Sequence, residues 1–141
     1  MSINWHGRNQ IVKHNPDIIF DVGHNEDGIL SFLNFIKSSN KKYTKKTLLL
    51  SIQKSKKIDK ISPNLDFFFD KKIYSLTNPF KCMDFVELQK YFKSIEYIED
   101  PNVAIKKIVN SSKDSDLIAI IGTHYWGDSI KSFFNICFDN I

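Results

Sequence analysis

The sequence predicts an α/β layer fold on a mostly parallel sheet of about six strands. Three observations carry that expectation. Short apolar runs alternate with helical stripes along the whole chain. Runs such as Leu117–Ile121 lack the polar alternation of a half-exposed strand, so they read as strands covered on both faces. Helix-start residues follow the runs at Asn25, Asp84 and Asp100.

Residues 10–12 and 17–22 read as strands separated by an Asn15-Pro16 turn. Asn25 then caps a helix to about Ser39, with Glu26 and Asp27 in the first turn, where carboxylates suit the helix dipole. Its inner stripe is Ile29, Leu33 and Ile36. Residues 47–52 form the next buried strand. A polar stretch containing Pro63 leads to an aromatic run at 67–76, expected as a strand that Asp70–Lys72 interrupts. Asp84 with Glu87 resembles a capping box and starts a helix carrying Phe85, Leu88 and Phe92. Residues 95–98 are a short strand. Asp100-Pro101 places an N-cap before a first-turn proline, with Ile105, Ile108 and Val109 facing inwards. Leu117–Ile121 is the most apolar run and reads as a central strand. A last helix is expected from about Trp126, burying Ile130, Phe133, Phe134 and Cys137.

A chain of 141 residues that is 42% hydrophobic fits one compact domain and is too apolar for a disordered one. No apolar run approaches membrane-spanning length and no export signal opens the chain, so a soluble cytoplasmic protein is expected. Cys82 and Cys137 cannot make a disulfide framework. The net charge of +4 does not imply nucleic-acid binding: acidic residues are spread along the chain, and the Lys41–Lys46 and Lys54–Lys60 clusters read as solvated surface.

Two features single out the chemistry. Arg8 is the only arginine among 20 basic residues, and guanidinium grips phosphate or carboxylate in a way that Lys does not. All five glycines fall in three short stretches, around Gly7, around Gly23 and Gly28, and around Gly122 and Gly127. The second and third stretches are strand-to-helix turns, and in open α/β sheets ligands bind beyond the C-terminal ends of strands. A zinc site from Asp21, His24 and His124 is poorly supported by their spacing, and no metal site is assigned.

These stretches resemble, in order and spacing, the C-terminal domain of folylpolyglutamate synthase/dihydrofolate synthase, a branch of the Mur ligase superfamily. Trp5-His6-Gly7-Arg8-Asn9-Gln10 resembles a W-P-G-R-x-Q opening, Asp21-Val22-Gly23-His24-Asn25 a D-G-A-H-N turn, and Ile121-Gly122-Thr123-His124-Tyr125 a late G-S-x-Y turn. The departures are His6 for proline, Val22-Gly23 for Gly-Ala, and Glu26 for a proline after the Asn. A K-D-K-D loop survives only as Lys54-Ser55-Lys56-Lys57, and Phe80-Lys81 stand where an arginine is usual.

The resemblance covers essentially residues 1–141 and implies a three-layer, Rossmann-like Mur ligase C-terminal domain. It also implies ATP-dependent amide formation, in which a carboxylate of dihydropteroate or a folate is phosphorylated and the amino group of L-glutamate attacks the acyl phosphate. On that basis Arg8 reaches the ATP phosphates, and Asp21 serves ribose hydroxyls or positions a neighbouring donor. His24 contributes to catalysis and contacts phosphate or glutamate, while Thr123 and Tyr125 offer hydroxyls to the glutamate carboxylates.

The implied partner is an N-terminal ATPase domain of the same enzyme that holds most of the Mg2+ ligands. No glycine here is followed by lysine, so this chain has no P-loop and is expected to be inactive alone. Two other functions stay open: the C-terminal domain of a cell-wall Mur ligase, and a freestanding, non-catalytic binding or interaction module.

Overall fold

A computed structural model describes residues 7–134. Its strands are β1 (Gln10–Lys13), β2 (Asp17–Asp21), β3 (Lys46–Leu50), β4 (Lys71–Tyr74), β5 (Glu96–Tyr97) and β6 (Leu117–Ile121). Its helices are α1 (Glu26–Ser38), α2 (Ser62–Phe68), α3 (Phe85–Leu88), α4 (Pro101–Ser111) and α5 (Gly127–Phe134). The six strands form one sheet in the order β1-β2-β6-β3-β4-β5. Only β1 runs antiparallel, as a hairpin partner of β2; every other pairing is parallel. The α/β architecture and its mostly parallel sheet are therefore those expected from the sequence.

The alternation of side chains along each strand builds two cores. Ile19, Leu48, Leu50, Ala119 and Ile121 face α1, α2 and α3, where Ile29, Phe32, Leu65 and Leu88 meet them. Ile18, Phe20, Leu49, Ile118 and Ile120 face α4 and α5, meeting Ile105, Ile108, Trp126 and Ile130. All five residues of β2 and of β6 are buried, which is why these strands show no polar alternation. Burial of this kind contributes roughly 1.5–3 kcal/mol for each large apolar side chain. No helix among the described residues is long and apolar enough to cross a membrane.

The predicted caps form. Asn25 Oδ1 accepts from the Gly28 N–H at 2.8 Å, and Asp100 Oδ1 from the Asn102 N–H at 2.8 Å. Ile29, Leu33 and Ile36 are buried as expected. Three assignments need correction. The run 67–76 is not one strand: α2 extends to Phe68, and β4 starts only at Lys71. Pro63 suits a first helical turn, and Ile61, Leu65 and Phe69 recur every fourth residue to face the core. Asp70 then turns the chain, its carboxylate accepting the Lys46 N–H at 2.8 Å.

The helix after Asp84 is a single turn that tightens at Gln89–Tyr91 before Phe92 becomes extended. Asp84 caps it by accepting the Glu87 N–H at 2.9 Å, while Glu87 pairs with Lys90. The last helix begins at Gly127, after a separate 3-10 turn at His124–Trp126. Phe133 is exposed rather than inward, and Cys137 lies outside the described residues.

At the N-terminal end of β2 a buried carboxylate ties three segments together. Asp17 accepts from Lys41 Nζ at 2.7 Å, from the Tyr43 hydroxyl at 2.8 Å and from His14 Nδ1 at 3.0 Å. Burial alone would raise its pKa, but the bonds from Lys41, Tyr43 and His14 outweigh it and lower the value from 3.8 to about 2. Ionised Asp17 therefore stabilises the fold above pH 3.8, and that contribution is lost as pH falls through about 2. Asp17→Asn should cost about 2 kcal/mol at neutral pH and flatten the stability curve below pH 4. Denaturant titrations of both proteins across acid pH measure this; equal slopes would refute it.

Candidate functional site

The three glycine-bearing stretches converge because of the strand order. Helices α1 and α2 leave β2 and β3 on one face of the sheet, while α5 leaves β6 on the other. Since β6 lies between β2 and β3, connections diverge on both sides of it, and such divergence opens a crevice at the C-terminal edge. The register fixes which residues meet there: Asp21 and Leu50 both stand opposite Ile121. Gly122 follows with φ +115°, and a Cβ on it would lie 2.1 Å from the Ser51 carbonyl oxygen. Only glycine fits a backbone approach this close.

The hairpin brings the arginine to the same edge. Because β1 is antiparallel to β2, the residues before Gln10 lie beside the end of β2. Gly7 has φ +76°, and a Cβ there would sit 2.6 Å from Val22 Cγ1. Its carbonyl accepts the Val22 N–H at 2.6 Å, and its N–H donates to Gln10 Oε1 at 2.9 Å. The Asn9 N–H donates to Asp21 Oδ2 at 2.7 Å, and the Gly23 N–H donates to Asp21 Oδ1 at 2.7 Å. Arg8 is left exposed between these anchored neighbours, close enough to Asp21 to lower its pKa. Burial dominates at Asp21, however, and its pKa is raised overall despite the two N–H bonds and Arg8.

Arg8 and His24 share an open cleft of about 420 Å³, floored by Gly23, Asn25 and Gly28 at the start of α1. A second cleft of about 460 Å³ adjoins it across His24 and Asn25, and is lined by Lys56, Lys57 and Lys60. Carboxylates are present too: Asp27 lines both clefts and Glu26 the second. The half-buried His24 ring has a buried Nδ1 with no hydrogen-bond partner among the described residues. Burial lowers its pKa, and the positive charge of Lys56 lowers it further, so both favour the neutral imidazole.

The late turn stands beside this cleft rather than in its wall. Thr123 is 2% exposed, and its Oγ1 accepts the Tyr125 N–H at 3.3 Å, capping the His124–Trp126 turn. The indole N–H of Trp126 donates to the Ile121 carbonyl at 3.0 Å and locks the turn to its strand. Tyr125 is half-buried, its ring 4.3 Å from that of the exposed His124. Arg8, Asp21, His24, Thr123 and Tyr125 thus occupy one sheet edge, with Arg8 and His24 in a common cleft. Lys56, which the sequence reads as solvated surface in the altered Lys54-Ser55-Lys56-Lys57 loop with no role assigned, is half-buried beside His24. Its spacing from His24 gave no signal, because the two lie in different loops.

No protein-family model and no curated protein matches the sequence. Solved structures do. A bifunctional folylpolyglutamate synthase/dihydrofolate synthase from Yersinia pestis, complexed with AMPPNP and Mn, aligns with a TM-score of 0.81 at 18% identity, covering 94% of this chain and 32% of that one. The chain has the fold of a Mur ligase C-terminal domain. A bifunctional synthase with Mn, AMPPNP and L-glutamate bound gives 0.82 at 18% identity, covering 94% of this chain and 32% of that one. E. coli FolC in complex with DHPP and ADP gives 0.73 at 19%, covering 92% and 30%. This chain therefore spans about a third of the length of each structure it matches. At such identities the likeness is one of fold, and the reading of the site rests on this chain's own residues.

The His24–Lys56 coupling can be measured directly. In an NMR pH titration His24 should titrate below the ordinary 6.5, and Lys56→Gln should move its midpoint upwards. An unmoved midpoint would dissociate the two residues.

Proposed function

We propose that this chain is the C-terminal domain of an ATP-dependent amide ligase that adds L-glutamate to dihydropteroate or a folate. One observation carries the reading. The only arginine and His24 flank one cleft at a helix N-terminus, on the sheet edge where this fold opens a ligand crevice. Solved structures of the same fold bear AMPPNP, Mn and L-glutamate, or ADP and DHPP.

In this reaction the γ-phosphoryl group passes from ATP to a carboxylate oxygen of the acceptor, leaving ADP and an acyl phosphate. The glutamate amine then attacks the acyl carbon, inorganic phosphate leaves, and the nitrogen gives up a proton. Arg8 would neutralise charge on the transferring phosphoryl group. Asp21 belongs to the ATP side of the arrangement. His24 would contact the phosphate or the incoming glutamate, with Lys56, Lys57 and Lys60 supplying positive charge to carboxylates alongside. Tyr125 would offer its hydroxyl to glutamate, and Thr123 would hold that turn in shape.

ATP carries the transferable phosphoryl group. In this reading Mg2+ is held mainly by an ATPase domain, as the family resemblance implies. That domain bears the P-loop, and the two close on each other around the substrates. A non-catalytic module is the second reading, favoured by the altered Lys54-Ser55-Lys56-Lys57 loop.

The isolated chain should bind ATP and glutamate weakly and turn neither over, since half a site makes half the contacts. In the enzyme containing the ATPase domain, Arg8→Ala should lower kcat/KM by roughly 10²–10³ with little change in melting temperature. Steady-state glutamate incorporation tests this. An unaltered rate would remove Arg8 from the reaction, and turnover by the isolated chain would overturn the half-site reading.

A further inference from the structure

Asp21 stands where a ligand contact is expected, yet both of its oxygens are engaged by the chain itself. Oδ2 accepts the Asn9 N–H at 2.7 Å and Oδ1 the Gly23 N–H at 2.7 Å. These are short, charge-assisted bonds, and the residue is 3% exposed. One bond holds the residue after Arg8, and the other holds the residue before His24. The two segments come from opposite strands of the hairpin, and Asn9 is kept at φ +47°, a left-handed conformation that needs such support.

We infer that Asp21 is a positioning residue that sets the Arg8 loop against the His24 turn, giving the cleft its anion-binding shape without itself touching the anion. The inference rests on the anion reading of the cleft, and it runs against simple electrostatics. A carboxylate beside Arg8 repels an incoming phosphate, so deleting its charge should tighten binding if charge were all that mattered. Positioning demands the opposite sign. With Asn at 21, one N–H donor would face an amide NH2 instead of an acceptor, the loop would detach, and Arg8 would lose its fixed origin. Asp27 supplies the control: it lines the same cleft and makes neither of these bonds.

The test uses the intact 141-residue chain and inorganic pyrophosphate as the probe, with affinities from NMR titration. Asp21→Asn should weaken pyrophosphate binding at least fivefold, whereas Asp27→Asn should leave it unchanged or tighten it about twofold. Asp21→Glu keeps the charge but misplaces it, and should also weaken binding. The double variant with Arg8→Ala should bind no worse than Arg8→Ala alone, because Asp21 acts through Arg8. Melting temperatures of the Asp21 variants should stay within a few degrees of the parent.

Pyrophosphate binding by both Asp21 variants as tight as the parent's would overturn the inference. Amide exchange separates the two readings. If the parent itself binds no pyrophosphate, the anion reading of the cleft falls. Exchange at Asn9 and Gly23 then decides: joint acceleration in Asp21→Asn, with β2 and β6 still protected, supports positioning, and unchanged protection refutes it.

Discussion

Placing β6 between β2 and β3 is the constraint on which the rest of the molecule depends. A strand in that position has neighbours on both edges and helices over both faces, so all five of its residues must be buried and apolar. The same placement draws the ends of β2, β6 and β3 into one line. The turn after each then has nowhere to go except along a shared rim. Gly122 marks how tight the line is, for no side chain fits between its backbone and Ser51. Fold stability and site assembly are two results of one packing decision.

What the sequence made legible was local or periodic. The Asn25 cap, the Asp100-Pro101 start and the apolar run at Leu117–Ile121 each rest on residues within a turn or a strand of one another, and each forms as read. The placement of Arg8 was foreseen only through the resemblance of the Gly7–Gln10 segment, since its route to the edge depends on the antiparallel hairpin. The Trp5 and His6 part of that segment lies outside the described residues.

The rest was hidden because it depends on contacts between distant segments. Lys56 reads as one more surface lysine until the loop after β3 is folded beside His24. Helix α2 was masked by the aromatic run that overlaps its end: composition favoured a strand, whereas Ile61, Leu65 and Phe69, recurring every fourth residue, placed a helix against the core. Thr123 reads as a hydroxyl available to a ligand, but its burial and its bond to the Tyr125 N–H give that hydroxyl a local task. In each case the residue type was correct for its chemistry, and only the neighbours decided its use.

Strand β2 ends in a carboxylate on either side, and the two have opposite thermodynamic sense. Ionised Asp17 lowers the free energy of the folded chain, whereas ionised Asp21, its pKa raised by burial, is a charge the fold would rather neutralise. The strand is therefore polarised in purpose as well as in direction: one tip serves as mooring, the other carries a standing tension. That tension sits beside the sole guanidinium of the protein, whose positive charge offsets part of what burial does to the carboxylate.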